Sequence, residues 1–451
     1  MTTPAVERAP LNVTEIIDNS QVGSFQISIY VLCGLCLIMD GFDVQAWGYV
    51  APSLFAEWNM ASAVGRVASV TLIGVMIGSL LFSMLADKIG RRPVLIGATL
   101  YFSALTLATA RVASLEQLLI IRFIAGLGLG AIMPNAVALV GEYSPRRSRV
   151  MAMLVVSNGF TVGAAVAGFI ASYLIPHYGW RSVFYFGGTV PLLIGLLMFI
   201  SLPESLQFLT LRKKSLDKVG RWLKRVEPSV AIGPGTTFVV NEEQKKGVPI
   251  VALFREGRAV GTLLLWTMQF MNLMNLYFLS TWLPTIARGM GMTTTAAVMV
   301  GTTFQTGGAV GTIAIGWPIQ KYGFFGVLIA CFLGAAVSIA LIGQGLTAVL
   351  LFVVVFMAGF GILGGQGGNN ALAATYYPTD LRSTGVGAAL GIGRIGSILG
   401  PSVAEFMRPR YSTQELFLAF AVPAILSALA VATLRAVMRP ALARSSTAAR
   451  P

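Results

Sequence analysis

Apolar runs of membrane-crossing length, separated by short polar turns, fill the chain from residue 24 to residue 436. A helix needs about 20 consecutive apolar residues to cross a bilayer, and a soluble core does not need runs of that length. Twelve such spans can be marked: 24–52, 66–86, 93–111, 115–140, 150–174, 182–202, 259–286, 295–317, 324–345, 347–375, 384–407 and 414–436. One long polar segment, 203–257, divides six spans from six. The pattern predicts an all-α polytopic membrane protein with 12 transmembrane helices in two pseudo-symmetric six-helix bundles. The bundles are residues 1–202 and 258–451, with a cytoplasmic linker loop over 203–257.

The two halves repeat at a constant offset of 233 residues, which pairs Lys88 with Lys321, Gly90 with Gly323 and Ala125 with Ala358. It also pairs Gly126 with Gly359, Gly128 with Gly361, Tyr143 with Tyr376, Pro145 with Pro378, Arg149 with Arg382 and Gly163 with Gly396. Small-residue matches recur by chance in such a chain, whereas lysine, proline and arginine matches at the same span edges do not. Two parallel six-helix repeats are a transporter plan, with a site between them at mid-membrane.

Composition agrees. Of 451 residues, 55% are hydrophobic and 11% charged, against about 25% charged in soluble domains. The net charge of +14 is not a nucleic-acid footprint, because the basic residues sit in short loops and not on one exposed face. They are distributed by side. The termini and even-numbered loops hold 24 Lys and Arg, and the odd-numbered loops hold six: Arg66, Arg111, Arg181, Arg288, Arg408 and Arg410. The positive-inside rule then puts both termini and the central segment in the cytoplasm, as expected of a multi-pass membrane protein. The central segment is mixed in sign (Arg212, Lys213, Lys214, Glu242, Glu243, Lys245, Lys246) and reads as a solvated linker. Glu7, Arg8, Glu15 and Asp18 precede the first span with no cleavable signal pattern. Cys33, Cys36 and Cys331 all lie in apolar runs and read as packed small residues, since the only histidine, His177, completes no metal set. No metal site, cofactor or catalytic constellation is expected.

Ionisable groups at membrane depth cost about 2.5–3.5 kcal/mol each on insertion scales, which makes them functional candidates. Asp40 and Asp43 lie three apart in span 1, so one helical face presents both. Two close carboxylates in low dielectric do not both ionise cheaply, and a retained proton suits a proton carrier. Alternatively, the pair caps a helix break near Gly41. Arg122 in span 4 and Arg394 in span 11 come from different halves. A fixed guanidinium suits an anionic substrate; the alternative is an intramembrane ion pair with Asp40, Asp43 or Glu142. Gln366, Asn369 and Asn370 in span 10 are either substrate donors or helix-to-helix glue. In span 7, Asn272, Asn275, Tyr277, Trp282 and Pro284 either line a cavity or pack. The GxGxxG-like run Gly391–Gly396 sits inside an apolar helix and lacks the strand–turn–helix setting of a dinucleotide site.

These residues resemble the major facilitator superfamily and, within it, the aromatic acid:proton symporter family. The loop after span 2, with Ser83, Asp87, Lys88, Gly90, Arg91 and Arg92, is similar to the superfamily's gating loop, with serine replacing its first glycine. The equivalent loop after span 8 carries Gln320 where an acid is usual, which implies a weaker second latch. Span 4 shows Arg122, Gly126, Gly128 and Gly130 in the spacing of a motif tied to proton coupling. Gly179-Trp180-Arg181 and Pro203-Glu204-Ser205 resemble further superfamily motifs, although Gln207 replaces an arginine. The narrower assignment rests on Asp40-Gly41-Phe42-Asp43, on Tyr277 to Thr285 and on Tyr376 to Pro401.

The resemblance implies proton-coupled uptake of small aromatic carboxylates, of the hydroxybenzoate or protocatechuate type, by alternating access. It implies proton coupling by Asp40, Asp43 and Arg122, with Glu142 in the same set. Substrate contacts are expected from Arg394, Gln366, Asn369, Asn370, Tyr277 and Trp282, and gating from Asp87, Lys88, Gly90, Arg91 and Arg92. The partners are then an aromatic acid, a proton and the lipid bilayer, and a single chain is the working unit. The alternatives are proton-driven efflux, uptake of another organic anion, and a non-transporting aromatic-acid receptor.

Overall fold

The computed structural model describes residues 10–59, 63–212, 215–233, 236–240, 250–378 and 381–448, with side chains to residue 438. Glu7, Arg8, Lys213, Lys214, Glu242, Glu243, Lys245 and Lys246 lie outside the described residues.

All twelve apolar segments are helical. In the first half they are Ser24–Glu57, Val64–Ile89, Arg91–Thr109, Leu115–Tyr143, Arg149–Tyr178 and Arg181–Ser201. In the second half they are Ala259–Gly289, Thr294–Ala314, Phe324–Ile342, Ala348–Tyr376, Arg382–Met407 and Thr413–Ala448. Among the described residues ten helices are long and apolar enough to cross a membrane. Spans 3 and 7 fall outside that set. Span 3 opens on two arginines and buries Thr99, Ser103 and Thr106, while span 7 carries Gln269, Asn272 and Asn275. Large apolar side chains remain exposed along many helices, such as Ile200 and Val349. An exposed apolar surface of that extent suits a lipid solvent.

The repeat predicted from single residues recurs as packing. A Cβ at Gly74 would lie 2.3 Å from the Phe123 carbonyl oxygen, and one at Gly307 would lie 2.2 Å from that of Phe356. The pairs Gly78 with Leu127 and Gly311 with Phe360 repeat the relation. All four pairs differ by the offset of 233, so spans 2 and 4 meet as spans 8 and 10 do. Gly90 and Gly323, each in a positive-φ conformation, start spans 3 and 9. Backbones this close leave no room for a side chain. Gly307→Leu is therefore expected to lower the thermal unfolding temperature sharply, whereas Gly97→Ala, with open space around its Cβ, leaves it unchanged.

Grouped by contacts, the described chain forms two units. The first contains residues 1–41, 74–163 and 185–245; the second contains 42–73, 164–184 and 246–451. The boundaries fall inside spans 1, 2, 5 and 6. In the second unit, the ends of those four spans on the face opposite the termini therefore pack with the whole second half.

The central segment departs from the expected solvated linker. It forms helices over Leu206–Leu211 and Leu216–Val226, a 3-10 turn over Ile250–Phe254, and a two-residue parallel bridge pairing Leu11–Asn12 with Phe238–Val239. Val219, Leu223 and Val226 are buried. Their spacing is an amphipathic stripe, which the run of charges around them masked in the sequence.

Candidate functional site

Span 1 is one unbroken helix from Ser24 to Glu57, which removes the alternative that Asp40 and Asp43 cap a break. They lie one turn apart on it, 4% and 0% exposed, and Arg122 is fully buried in span 4. All three are engaged by other groups. Gly41 supplies close approach: its Cβ would lie 1.9 Å from the Phe160 carbonyl oxygen of span 5. The carboxylates thus sit in a tightly packed segment where water is excluded and charge is costly.

Spans 7 and 10 bring amides together. Asn272 Nδ2 donates to Gln366 Oε1 at 2.7 Å and to the Ile362 carbonyl at 3.1 Å. Gln269 Nε2 donates to Asn370 Oδ1 at 2.9 Å, and Gln366 Nε2 to the same oxygen at 3.3 Å. The sequence left Gln366 and Asn370 open between glue and donors; here they join the two helices. Asn275 and Asn369, both buried, have no protein hydrogen-bond partner for either amide atom. Unsatisfied buried amides are rare, which singles out these two, together with Asn272 Oδ1, among the described residues. Arg394 borders the group: its neighbour Gly393 packs against the Gln269 side chain, the Cβ position lying 2.8 Å from Gln269 Cγ. Arg394 is half-buried, and its guanidinium makes no ion pair among the described residues.

Trp282 is placed for packing. Its indole N–H donates to the Pro401 carbonyl at 3.1 Å and the Arg408 guanidinium lies over its ring, 5.3 Å from the centroid. Tyr277 is half-buried and engaged.

A polar clasp closes the second unit on the face opposite the termini. Gln305 Nε2 donates to Gln45 Oε1 at 2.7 Å and to Ser280 Oγ at 3.0 Å, and Gln45 Nε2 donates to the Ser280 carbonyl at 2.8 Å. Nearer that surface, Arg66 donates to both oxygens of Glu405, from its backbone N–H at 2.7 Å and from Nε at 2.6 Å. Ser402 Oγ and Ser69 Oγ are 2.7 Å apart. Apart from Gln305–Ser280, each of these contacts joins a first-half span to a second-half span.

The expected gating loop lies in the first unit. Arg91 pairs with Glu142 at 2.7 Å. Glu142 stands about 30 Å further along span 4 than Arg122, so it is placed with the gating arginines and not with the mid-membrane carboxylates. Glu204 Oε1 accepts from the backbone N–H groups of Arg91, Arg92 and Ser205 at 3.0, 3.1 and 2.9 Å. Arg92 donates to the Phe199 carbonyl at 2.5 Å. Asp87 and Lys88 are exposed; the Asp87 backbone carbonyl, not its carboxylate, accepts from Arg212 at 3.3 Å. Gly90 is buried, and a Cβ there would lie 2.2 Å from Glu204 Oε2.

Burial raises the Glu204 carboxyl above its usual 4.5, outweighing the backbone N–H bonds and the Arg92 charge that lower it. The folded state then holds the proton more tightly than the unfolded chain. Stability accordingly falls as pH rises from 4.5 through the raised value. Glu204→Gln is expected to flatten that slope in thermal unfolding measured against pH.

The family model of the Major Facilitator Superfamily matches residues 33–401 and, in a second alignment, 265–450. The chain belongs to the Major Facilitator Superfamily. Among its superfamily relatives, the 4-hydroxybenzoate transporter PcaK of Pseudomonas putida is 38% identical over 93% of this chain and 95% of its own. The gallate transporter of Pseudomonas putida is 38% identical over 96% of both chains. The benzoate transport protein of Acinetobacter baylyi is 32% identical over 93% of this chain and 92% of its own. Two solved structures share the fold. A D-xylose-proton symporter superposes with a TM-score of 0.71 at 17% identity, covering 91% of this chain and 97% of that one. A bacterial homologue of the human lysosomal transporter Spinster, in an inward-facing and unoccupied conformation, gives 0.68 at 16%, covering 93% and 98%.

For a superfamily member, several residues in this geometry were not singled out by sequence reasoning. Gln45, Gln269 and Gln305 are single amides within long apolar runs, where an isolated glutamine carries no spacing signal. Glu405 is a single acid near the end of span 11. Its partner Arg66 lies 339 positions away, beyond the reach of local pattern.

Proposed function

We infer that the protein takes up small aromatic carboxylates, of the hydroxybenzoate or protocatechuate type, together with protons across the bacterial inner membrane by alternating access. The observation that carries this reading is Arg394: a half-buried cation without an ion-pair partner among the described residues, next in the chain to Gly393, which packs on the amide-bearing span 7 at Gln269. Relatives named for 4-hydroxybenzoate, gallate and benzoate support the substrate class, because these acids share one carboxylate on one aromatic ring.

In this reading both termini are cytoplasmic and one chain is the working unit. The halves 1–202 and 258–451 rock about the mid-membrane site. The Gln45–Ser280–Gln305 contacts and the Arg66–Glu405 pair are the outer gate, made in this conformation and broken when the site faces out. Arg91, Arg92 and Gly90, held by Glu142 and Glu204, form the inner latch with the exposed Asp87 and Lys88. Arg394 takes the carboxylate, and Asn275, Asn369, Asn370, Gln366 and Tyr277 present polar atoms to it and to ring hydroxyls. Trp282 shapes the wall by packing. Asp40 and Asp43 take up the proton, with Arg122 in the same coupling set. Neutralising the carboxylates inside the cavity lowers the cost of occluding it.

The test is competition. Uptake of radiolabelled 4-hydroxybenzoate into proteoliposomes should be inhibited by excess benzoate, protocatechuate or gallate and not by 4-hydroxybenzamide, which lacks the carboxylate. Equal inhibition by the amide would remove the anion-recognition reading.

A further inference from the structure

Beyond the mid-membrane site, the second unit contains a cleft of about 430 Å³ at the ends of spans 1, 7 and 11, on the face opposite the termini. This is within the size of small-molecule pockets, about 300–1,000 Å³. Its charged lining residues are two arginines, Arg288 and Arg408, and no acid lines it. Arg408 is half-buried, and burial lowers its pKa. The nearest acid on its own helix, Glu405, is taken by Arg66. Neither Arg288 nor Arg408 forms an ion pair among the described residues. Arg288 spends one N–H on the Met292 carbonyl at 2.8 Å, leaving the rest of its fork available. The Thr285 hydroxyl, in the wall of the cleft, is buried with no protein partner. Phe55 supplies an aromatic wall. A partly desolvated guanidinium without a counter-ion is costly; Arg408, stacked on the Trp282 ring, is one, and with the exposed Arg288, an unpaired hydroxyl and a ring it matches an aromatic carboxylate.

We propose that this cleft is a second binding site for the transported acid, a vestibule in which Arg408 and Arg288 hold the carboxylate, Thr285 donates to it and Phe55 flanks the ring. The assignment rests on the substrate class inferred above. The cleft lies on the far side of the Gln45–Ser280–Gln305 clasp from the Asp40 level of span 1. It therefore binds while the outer gate is closed, concentrates substrate at the mouth and gives it up when the Arg66–Glu405 pair parts.

The experiment is equilibrium binding of radiolabelled 4-hydroxybenzoate to the purified full chain in detergent. Wild type binds two molecules per chain. Arg408→Gln keeps one, Arg394→Gln keeps one, and the double variant binds none. The site retained in Arg408→Gln shows that this protein has folded; if it does not fold, Arg288→Gln and Thr285→Val, which weaken the same site at least tenfold, take its place. Arg408→Lys restores the second site in part, since it returns charge without the planar fork. One molecule per chain in wild type, lost in Arg394→Gln and unaffected by Arg408→Gln, overturns the vestibule and leaves the substrate assignment standing. Absence of binding in wild type for 4-hydroxybenzoate, benzoate, protocatechuate and gallate overturns both.

Discussion

Arg394→Gln protein inserts and unfolds at the wild-type temperature but transports 4-hydroxybenzoate at about a hundredth of the wild-type kcat/KM. Removing one partner of a desolvated, hydrogen-bonded charge pair costs about 2–5 kcal/mol, and each 1.4 kcal/mol is about tenfold. The thermal stability is spared because the side chain makes no ion pair among the described residues whose loss would be felt. An Arg394 serving only to hold helices together would show the opposite split, with stability lost first. Arg394→Lys recovers part of the activity, since the ammonium keeps the charge but not the two parallel N–H bonds that match a carboxylate. The check is initial uptake rate against substrate concentration, beside thermal unfolding of the same preparations.

Asp43→Asn abolishes accumulation of substrate against its gradient while leaving exchange of labelled for unlabelled acid across the membrane. Asp40→Asn does the same or slows exchange as well. Both side chains are almost fully buried, and in the proposed cycle the site turns over only when their charge is neutralised. An asparagine mimics the protonated state permanently, so the loaded carrier still reorients but no longer carries a proton with it. One proton moving with one monovalent acid is electroneutral. The wild-type gradient then follows the pH difference, at about 1.4 kcal/mol per pH unit, and ignores membrane potential. Accumulation that persists in both asparagine variants would place the proton elsewhere.

Much of this was legible before the structure because the bilayer imposes so few solutions. A run such as 324–345 has no alternative to a helix, and its match to 93–111 through Lys88 with Lys321 and Gly90 with Gly323 pointed to the repeat. The repeat's physical basis became visible only as close backbone contacts, Gly74 on Phe123 and Gly307 on Phe356. Buried charge was equally legible: Asp40, Asp43, Arg122 and Arg394 stand out because each is expensive where it lies. Partners were not. By sequence Glu142 groups with the proton-coupling residues of spans 1 and 4, yet the geometry of span 4 delivers it to Arg91. By sequence Trp282 is open between lining a cavity and packing, and its N–H is taken by the Pro401 carbonyl. The amides Gln45 and Gln305, 260 positions apart, gain meaning only when two helices bring them together. Charge at depth can be read from one residue; a hydrogen bond needs two, and the sequence does not say which.

The most direct measurement is proton-linked accumulation. Purified protein is reconstituted into liposomes, an inward proton gradient is imposed, and internal radiolabelled 4-hydroxybenzoate is followed together with a trapped pH indicator. Accumulation above the external concentration, with matching internal acidification and loss of both on adding a protonophore, is the predicted result. Depletion of internal substrate under the same gradient, or equilibration indifferent to it, would contradict proton-coupled uptake.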